Sequence, residues 1–179
     1  MAETKTISGQ STMAEVLEAY PSAKRALFQR YHIGGCSSCG FSPEDSLTDV
    51  LANHNVMDVD GTIEYIKESQ KVDDRMKITP TELDGIIKGG NGVKLLDVRE
   101  PWEYDIAHIE GAQLLSRDLV QEVMQTWPKD TQIVFTCHRG MRSMDAASYF
   151  IGHGFSNVRS LEGGVDGWAA EVDKEMARY

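Results

Sequence analysis

The sequence predicts an α/β fold, a parallel sheet flanked by helices, with a small all-α N-terminal domain ahead of it. Three observations carry that expectation. Beyond residue 76, short apolar runs of strand length alternate with helical stretches, the pattern of parallel strands joined by crossover helices. Before residue 69, apolar residues recur at helical spacing. Cys137 closes the apolar run Gln132 to Thr136, at the carboxyl end of a strand, which is where such sheets hold their ligands.

The elements follow in order. Thr12 and Glu15 form a capping-box pattern ahead of Met13, Val16, Leu17 and Tyr20, which share one helical face. Pro21 ends that helix and is expected to open a second at its first turn, carrying Ala23, Ala26, Leu27 and Tyr31. Residues from His32 to Pro43 are rich in glycine, serine and cysteine and read as a loop. Leu47, Val50, Leu51 and His54 mark a third helix, and Ile63 and Ile66, behind Asp60, a fourth. The helical domain is expected over residues 1–68, a polar linker over 69–75, and the α/β domain over 76–179. In the latter, Thr79, Pro80 and Glu82 supply N-cap, N1 and N3 of a helix running to Lys88, broken by the glycines that follow. Lys94 to Val98, Gln132 to Thr136 and Val158 to Leu161 read as strands, with helices near Asp118 to Trp127 and Arg142 to Gly152.

A formal net charge of -10 excludes a nucleic-acid or anionic-membrane footprint. It is shared between the halves, with 7 basic against 12 acidic side chains up to Arg75 and 11 against 16 beyond it. No apolar run approaches membrane-spanning length, and the first thirty residues lack a basic start followed by an apolar core, so a cytoplasmic location is expected. Three cysteines are too few, and odd in number, for a disulfide framework; reactive thiols fit better.

Cys137, His138, Arg139, Gly140, Met141, Arg142 and Ser143 make a short basic loop between strand and helix. Gly140 allows a tight turn whose N–H groups point inward, and the positive charge favours a thiolate, the nucleophilic form of cysteine. A cysteine at a strand end is ordinarily a small packing residue, but packing needs no glycine and two arginines in the next five positions. Four residues lie between Cys137 and Arg142. Cysteine-dependent phosphatases use a loop one residue longer to surround a phosphate, so the smaller ring suits a single sulfur atom carried on the cysteine.

This loop resembles the active loop of the rhodanese sulfurtransferases. Leu96-Asp97-Val98-Arg99-Glu100 with Glu103-Tyr104, then His108-Ile109-Glu110-Gly111-Ala112, and Leu161-Glu162-Gly163-Gly164-Val165-Asp166-Gly167-Trp168 fall in the order that family shows, over roughly Lys77 to Val172. The resemblance implies a rhodanese-like parallel sheet and a Cys137 persulfide. Thiosulfate or another small anionic sulfur donor would load the cysteine, and a thiol, cyanide or a sulfur-acceptor protein would unload it, without cofactor or metal. Residues 138–143 would bind substrate, with Asp97 and Arg99 supporting the loop or pairing with each other. His108 and Trp168 read as structural.

A second cysteine pair, Cys36 and Cys39 in a CxxC arrangement, lies in the irregular part of the helical domain. Alone it could form half a zinc site with His32 or His54, pack inertly, or handle thiol redox and sulfur; with no second cysteine pair nearby the last is favoured. Residues Thr12 to Lys67 also resemble a small helical redox-disulfide domain associated with hybrid-cluster proteins. That rests on Met13 to Leu17, Tyr20-Pro21, the cysteine turn and the Leu47 to Leu51 helix, and it implies that Cys36 and Cys39 are the working atoms. The overall expectation is a sulfurtransferase with the CxxC pair as relay or reductant. A redox or sulfide sensor using the same cysteines without turnover is the alternative. A phosphatase or arsenate reductase would want the longer loop, and a rhodanese-like module that only binds usually lacks the cysteine.

Overall fold

A computed structural model describes residues 6–34, 40–90 and 92–179. The chain divides into two units, Met1–Arg75 and Met76–Tyr179.

The first unit is helical. Its helices are α1 (Met13–Ala19), α2 (Ala23–Tyr31), α3 (Leu47–Asn53) and α4 (Val59–Met76, whose last residue opens the second unit). The expected capping box is present: Thr12 accepts from the Glu15 N–H while Glu15 accepts from the Thr12 N–H. Met13, Val16, Leu27, Leu47, Leu51 and Ile66 pack into one core from all four helices. Two expectations need correction. Pro21 does not open α2: it sits in the preceding turn, and Ser22 takes the N-cap position. Nor are residues 69–75 an irregular linker, because α4 continues through them. Asp73, 5% exposed, pairs with Arg25 of α2, and Gln70 accepts from the Ser22 N–H at 3.1 Å, so the polar face of this stretch is bonded to the rest of the unit.

The second unit is a five-stranded sheet with strand order β1-β5-β4-β2-β3, in which every described pair is parallel. In chain order it runs β1 (Lys77–Ile78), α5 (Pro80–Lys88), β2 (Lys94–Asp97), α6 (Pro101–Ile106), β3 (Gln113–Leu114), α7 (Arg117–Thr126), β4 (Ile133–Thr136), α8 (Met141–Gly152), β5 (Val158–Leu161) and α9 (Gly164–Glu171). All four residues of β4 are buried, as befits a central parallel strand covered on both faces. Alternation along it divides two cores. Ile133 and Phe135 join Leu96, Val123, Met144, Ala147 and Phe150 under α7 and α8. Val134 points the other way, with Leu83, Leu95, Leu161, Val165 and Trp168 under α5 and α9. Among the described residues no helix is long and apolar enough to cross a membrane.

Candidate active site

Cys137 follows the last residue of β4, at the carboxyl end of the sheet, and is 1% exposed. The chain then turns through His138, Arg139 and Gly140 into α8, so Met141, Arg142 and Ser143 form that helix's first turn. Gly140 is its N-cap at φ 92°, a left-handed conformation that costs a side chain dearly, and it has no side chain with which to cap the helix. Its N–H donates to Cys137 Sγ at 3.1 Å. The Ser143 hydroxyl, buried, donates to the same sulfur at 3.4 Å and accepts from Ser160 Oγ of β5 at 2.9 Å. Sequence reading missed Ser160, which faces the site only because β5 lies beside β4.

The other side of the loop is held by backbone. Val165 N–H donates to the Cys137 carbonyl at 2.8 Å and Asp166 N–H to that of His138 at 3.0 Å. This is why glycine precedes them: a Cβ on Gly164, at φ 57°, would stand 2.1 Å from the Cys137 carbonyl oxygen. The glycines before Trp168 are thus part of the cradle of the cysteine, and Trp168 itself, 6% exposed, is core as expected.

Charged groups near the loop are paired with one another. Asp97 and Arg99, both fully buried, meet side-on: Arg99 Nη2 donates to Asp97 Oδ2 at 2.7 Å and Nε to Oδ1 at 2.9 Å. Arg99 also donates to the Ala107 carbonyl at 2.7 Å, the Glu103 carbonyl at 3.2 Å and the Tyr179 hydroxyl at 2.6 Å, tying the end of β2 to α6. Arg142 reaches back to Glu103 with two bonds of 2.6 Å each. These bonds hold the Glu103 carboxyl at about 2, against the upward push of its burial, and the same contact raises the Arg142 guanidinium. Glu103 was not singled out by sequence, although Glu103-Tyr104 belongs to a recognised stretch; its partner lies 39 residues away.

The depressed Glu103 sets the sign of a pH effect. Its contribution to stability is present above the unfolded carboxyl value near about 4.3 and is lost as pH falls through about 2. Glu103→Gln should therefore unfold with a flatter acid limb over that interval, followed by circular dichroism. An acid limb of unchanged slope would mean that the pair contributes nothing.

The remaining residues divide clearly. Arg139 is exposed and, among the described residues, makes no ion pair; Met141 is 71% exposed. His138 stacks on the Tyr179 ring, with centroids 4.4 Å apart. His108 lies against Tyr104, with Nδ1 3.0 Å from the Tyr104 carbonyl, a local contact outside the loop. Cys36 and Cys39 lie outside the described residues.

A thiol buried at a strand end, two donors aimed at its sulfur, and a helix N-terminus without a side-chain cap make an arrangement able to stabilise negative charge on that sulfur. Residues 79–171 match the family of rhodanese-like domains, and the chain belongs to that family. Over 104 residues it is 38% identical to a Mycobacterium tuberculosis protein described as "Probable adenylyltransferase/sulfurtransferase MoeZ", covering 57% of this chain and 26% of that one. It is 35% identical over 86 residues to the thiosulfate sulfurtransferase GlpE of Pseudoalteromonas translucida, covering 48% of this chain and 82% of that protein. The chain thus spans about a quarter of the first relative and most of the second. A solved structure of a rhodanese-related protein from Thermoplasma volcanium shares 27% identity at a TM-score of 0.43, over 54% of this chain and 92% of that one.

Proposed function

We propose that the protein is a sulfurtransferase that carries sulfane sulfur as a persulfide on Cys137, with thiosulfate as a competent donor. The observation that carries this is the pair of donors, Gly140 N–H and Ser143 Oγ–H, converging on a buried sulfur beside the uncapped first turn of α8. The thiosulfate activity named for the GlpE relative supports the choice of donor.

The Cys137 thiolate attacks the outer sulfur of thiosulfate. The S–S bond of the donor breaks, its electron pair leaves with sulfite, and Cys137 keeps one added sulfur bearing the negative charge. Donors at the foot of α8 stabilise that charge without reorganising. Arg139, exposed, draws the dianion in. Arg142 spends two of its five N–H bonds on Glu103, leaving the others for the sulfonate oxygens. Cyanide or a thiol then attacks the outer sulfur and restores the Cys137 thiolate.

The CxxC pair extends this scheme on sequence grounds. Cys36 takes the outer sulfur from Cys137, Cys39 attacks the Cys36 sulfur, and sulfide leaves as the Cys36–Cys39 disulfide forms. One experiment tests both steps: load with thiosulfate, remove excess donor, and follow each cysteine by peptide mass spectrometry in wild type and in Cys36→Ser/Cys39→Ser. One added sulfur on Cys137 is expected, decaying faster in wild type. No added sulfur refutes the transfer, and equal lifetimes refute the relay. A persulfide that forms in wild type but is passed to no acceptor would favour the sensing alternative.

A further inference from the structure

Cys137 is 1% exposed, and the segment after α9 lays a side chain against the loop that carries it. Tyr179 lays its ring on His138, at the start of the loop, with planes 22° apart. Its hydroxyl accepts from Arg99 at 2.6 Å and donates to Glu103 Oε1 at 3.4 Å, the carboxylate that grips Arg142 at the loop's other end. One side chain therefore spans the loop from its second residue to the partner of its sixth. Trp102, 61% exposed, stands beside it with ring centroids 6.5 Å apart. The segment is clipped to the site's other wall too: Arg178 Nε donates to Asp166 Oδ1 at 2.8 Å, and Asp166 is the residue whose N–H holds the His138 carbonyl.

These ties are made by side chains. Among the described residues the last backbone hydrogen bond of the segment is from Met176 N–H to the Asp173 carbonyl, so Arg178 and Tyr179 are placed by their side-chain contacts. At 38% exposure Tyr179 is placed but not buried.

We propose that Tyr179 is a specificity-determining residue that narrows the approach to Cys137, admitting small anions and excluding bulky sulfur donors and electrophiles. The proposal rests on the sulfur-transfer reading only for its choice of donors. Thiosulfate and benzenethiosulfonate offer Cys137 the same outer sulfur, releasing sulfite and benzenesulfinate respectively, and differ in bulk. With cyanide as acceptor, Tyr179→Ala should raise the kcat/KM ratio of benzenethiosulfonate to thiosulfate by about tenfold or more, a clash-removal effect of the size a pocket wall exerts. Tyr179→Phe, which keeps the ring on His138, should stay near the wild-type ratio.

A second readout needs no turnover. Alkylation of Cys137 by pyrenylmaleimide relative to iodoacetamide, read on its own peptide, should rise in Tyr179→Ala and not in Tyr179→Phe. Should the alkylation ratio move as expected while no protein forms thiocyanate, the gate stands and the sulfur-transfer reading falls. Unchanged ratios in Tyr179→Ala would overturn the gate, whatever the activity. A phenylalanine variant as permissive as the alanine would overturn it as well, since bulk would then not be what selects.

Discussion

Cys137→Ser is expected to fold normally and to lose thiosulfate:cyanide sulfurtransferase activity by more than about a thousandfold, the scale on which removing a covalent nucleophile acts. The replacement is nearly isosteric, and the cradle does not depend on the sulfur. Val165 and Asp166 hold the loop through the carbonyls of Cys137 and His138, and Gly140 N–H can donate to a hydroxyl as it does to the thiol. What a serine lacks is the capacity to hold a second sulfur. Cys36 and Cys39 remain in that variant, so any slow residual turnover should vanish when they are replaced as well. Thiocyanate formation at the wild-type rate in Cys137→Ser would show that another group is the nucleophile.

The largest stability effect is expected at the other end of the site. Arg99→Ala would leave the Asp97 carboxylate, fully buried, without its cation, and would strip donors from the Ala107 and Glu103 carbonyls. Breaking a buried pair by removing one partner costs about 3–5 kcal/mol, a large part of the roughly 5–15 kcal/mol that holds a domain folded. Urea unfolding should show a matching fall in midpoint. Asp97→Asn/Arg99→Met, which removes both charges, should recover part of the loss, because no bare carboxylate stays inside. A cost under about 1 kcal/mol for Arg99→Ala would place the pair in the class of exposed bridges and contradict its burial.

Cys137 and its turn were legible because their signals are adjacent in the chain, the apolar run Gln132 to Thr136 and then a glycine and basic side chains over residues 137–143, whereas Ser160 and the α9 amides that complete the surroundings are not. The parallel sheet was legible because strand-length apolar runs, Lys94 to Val98 and Gln132 to Thr136, alternate with helical stretches. Residues 69–75 were misread because their helix is held by polar contacts that leave no hydrophobic period. Lys71 pairs with Glu68, Gln70 with Asp74, and Asp73 with Arg25, which lies 48 positions earlier. The two-residue strands β1 and β3 are shorter than any pattern can register. Glu103 and Tyr179 escaped notice because their roles are assigned by partners far along the chain, at Arg142 and at Arg99 and His138.

The contacts between the cysteine loop and α9 run from main chain to main chain, and that has a bearing on how the site can be altered. The cradle is made through main-chain atoms and so makes no demand on the side chains of His138, Arg139 or Met141, while Gly140 and Gly164 are confined by sterics. Shape and selectivity are thereby stored in separate positions. A library randomised at residues 139 and 141 would sample new side chains around an unchanged main-chain cradle, whereas one that touches 140 or 164 would spend most of its members on misfolded loops.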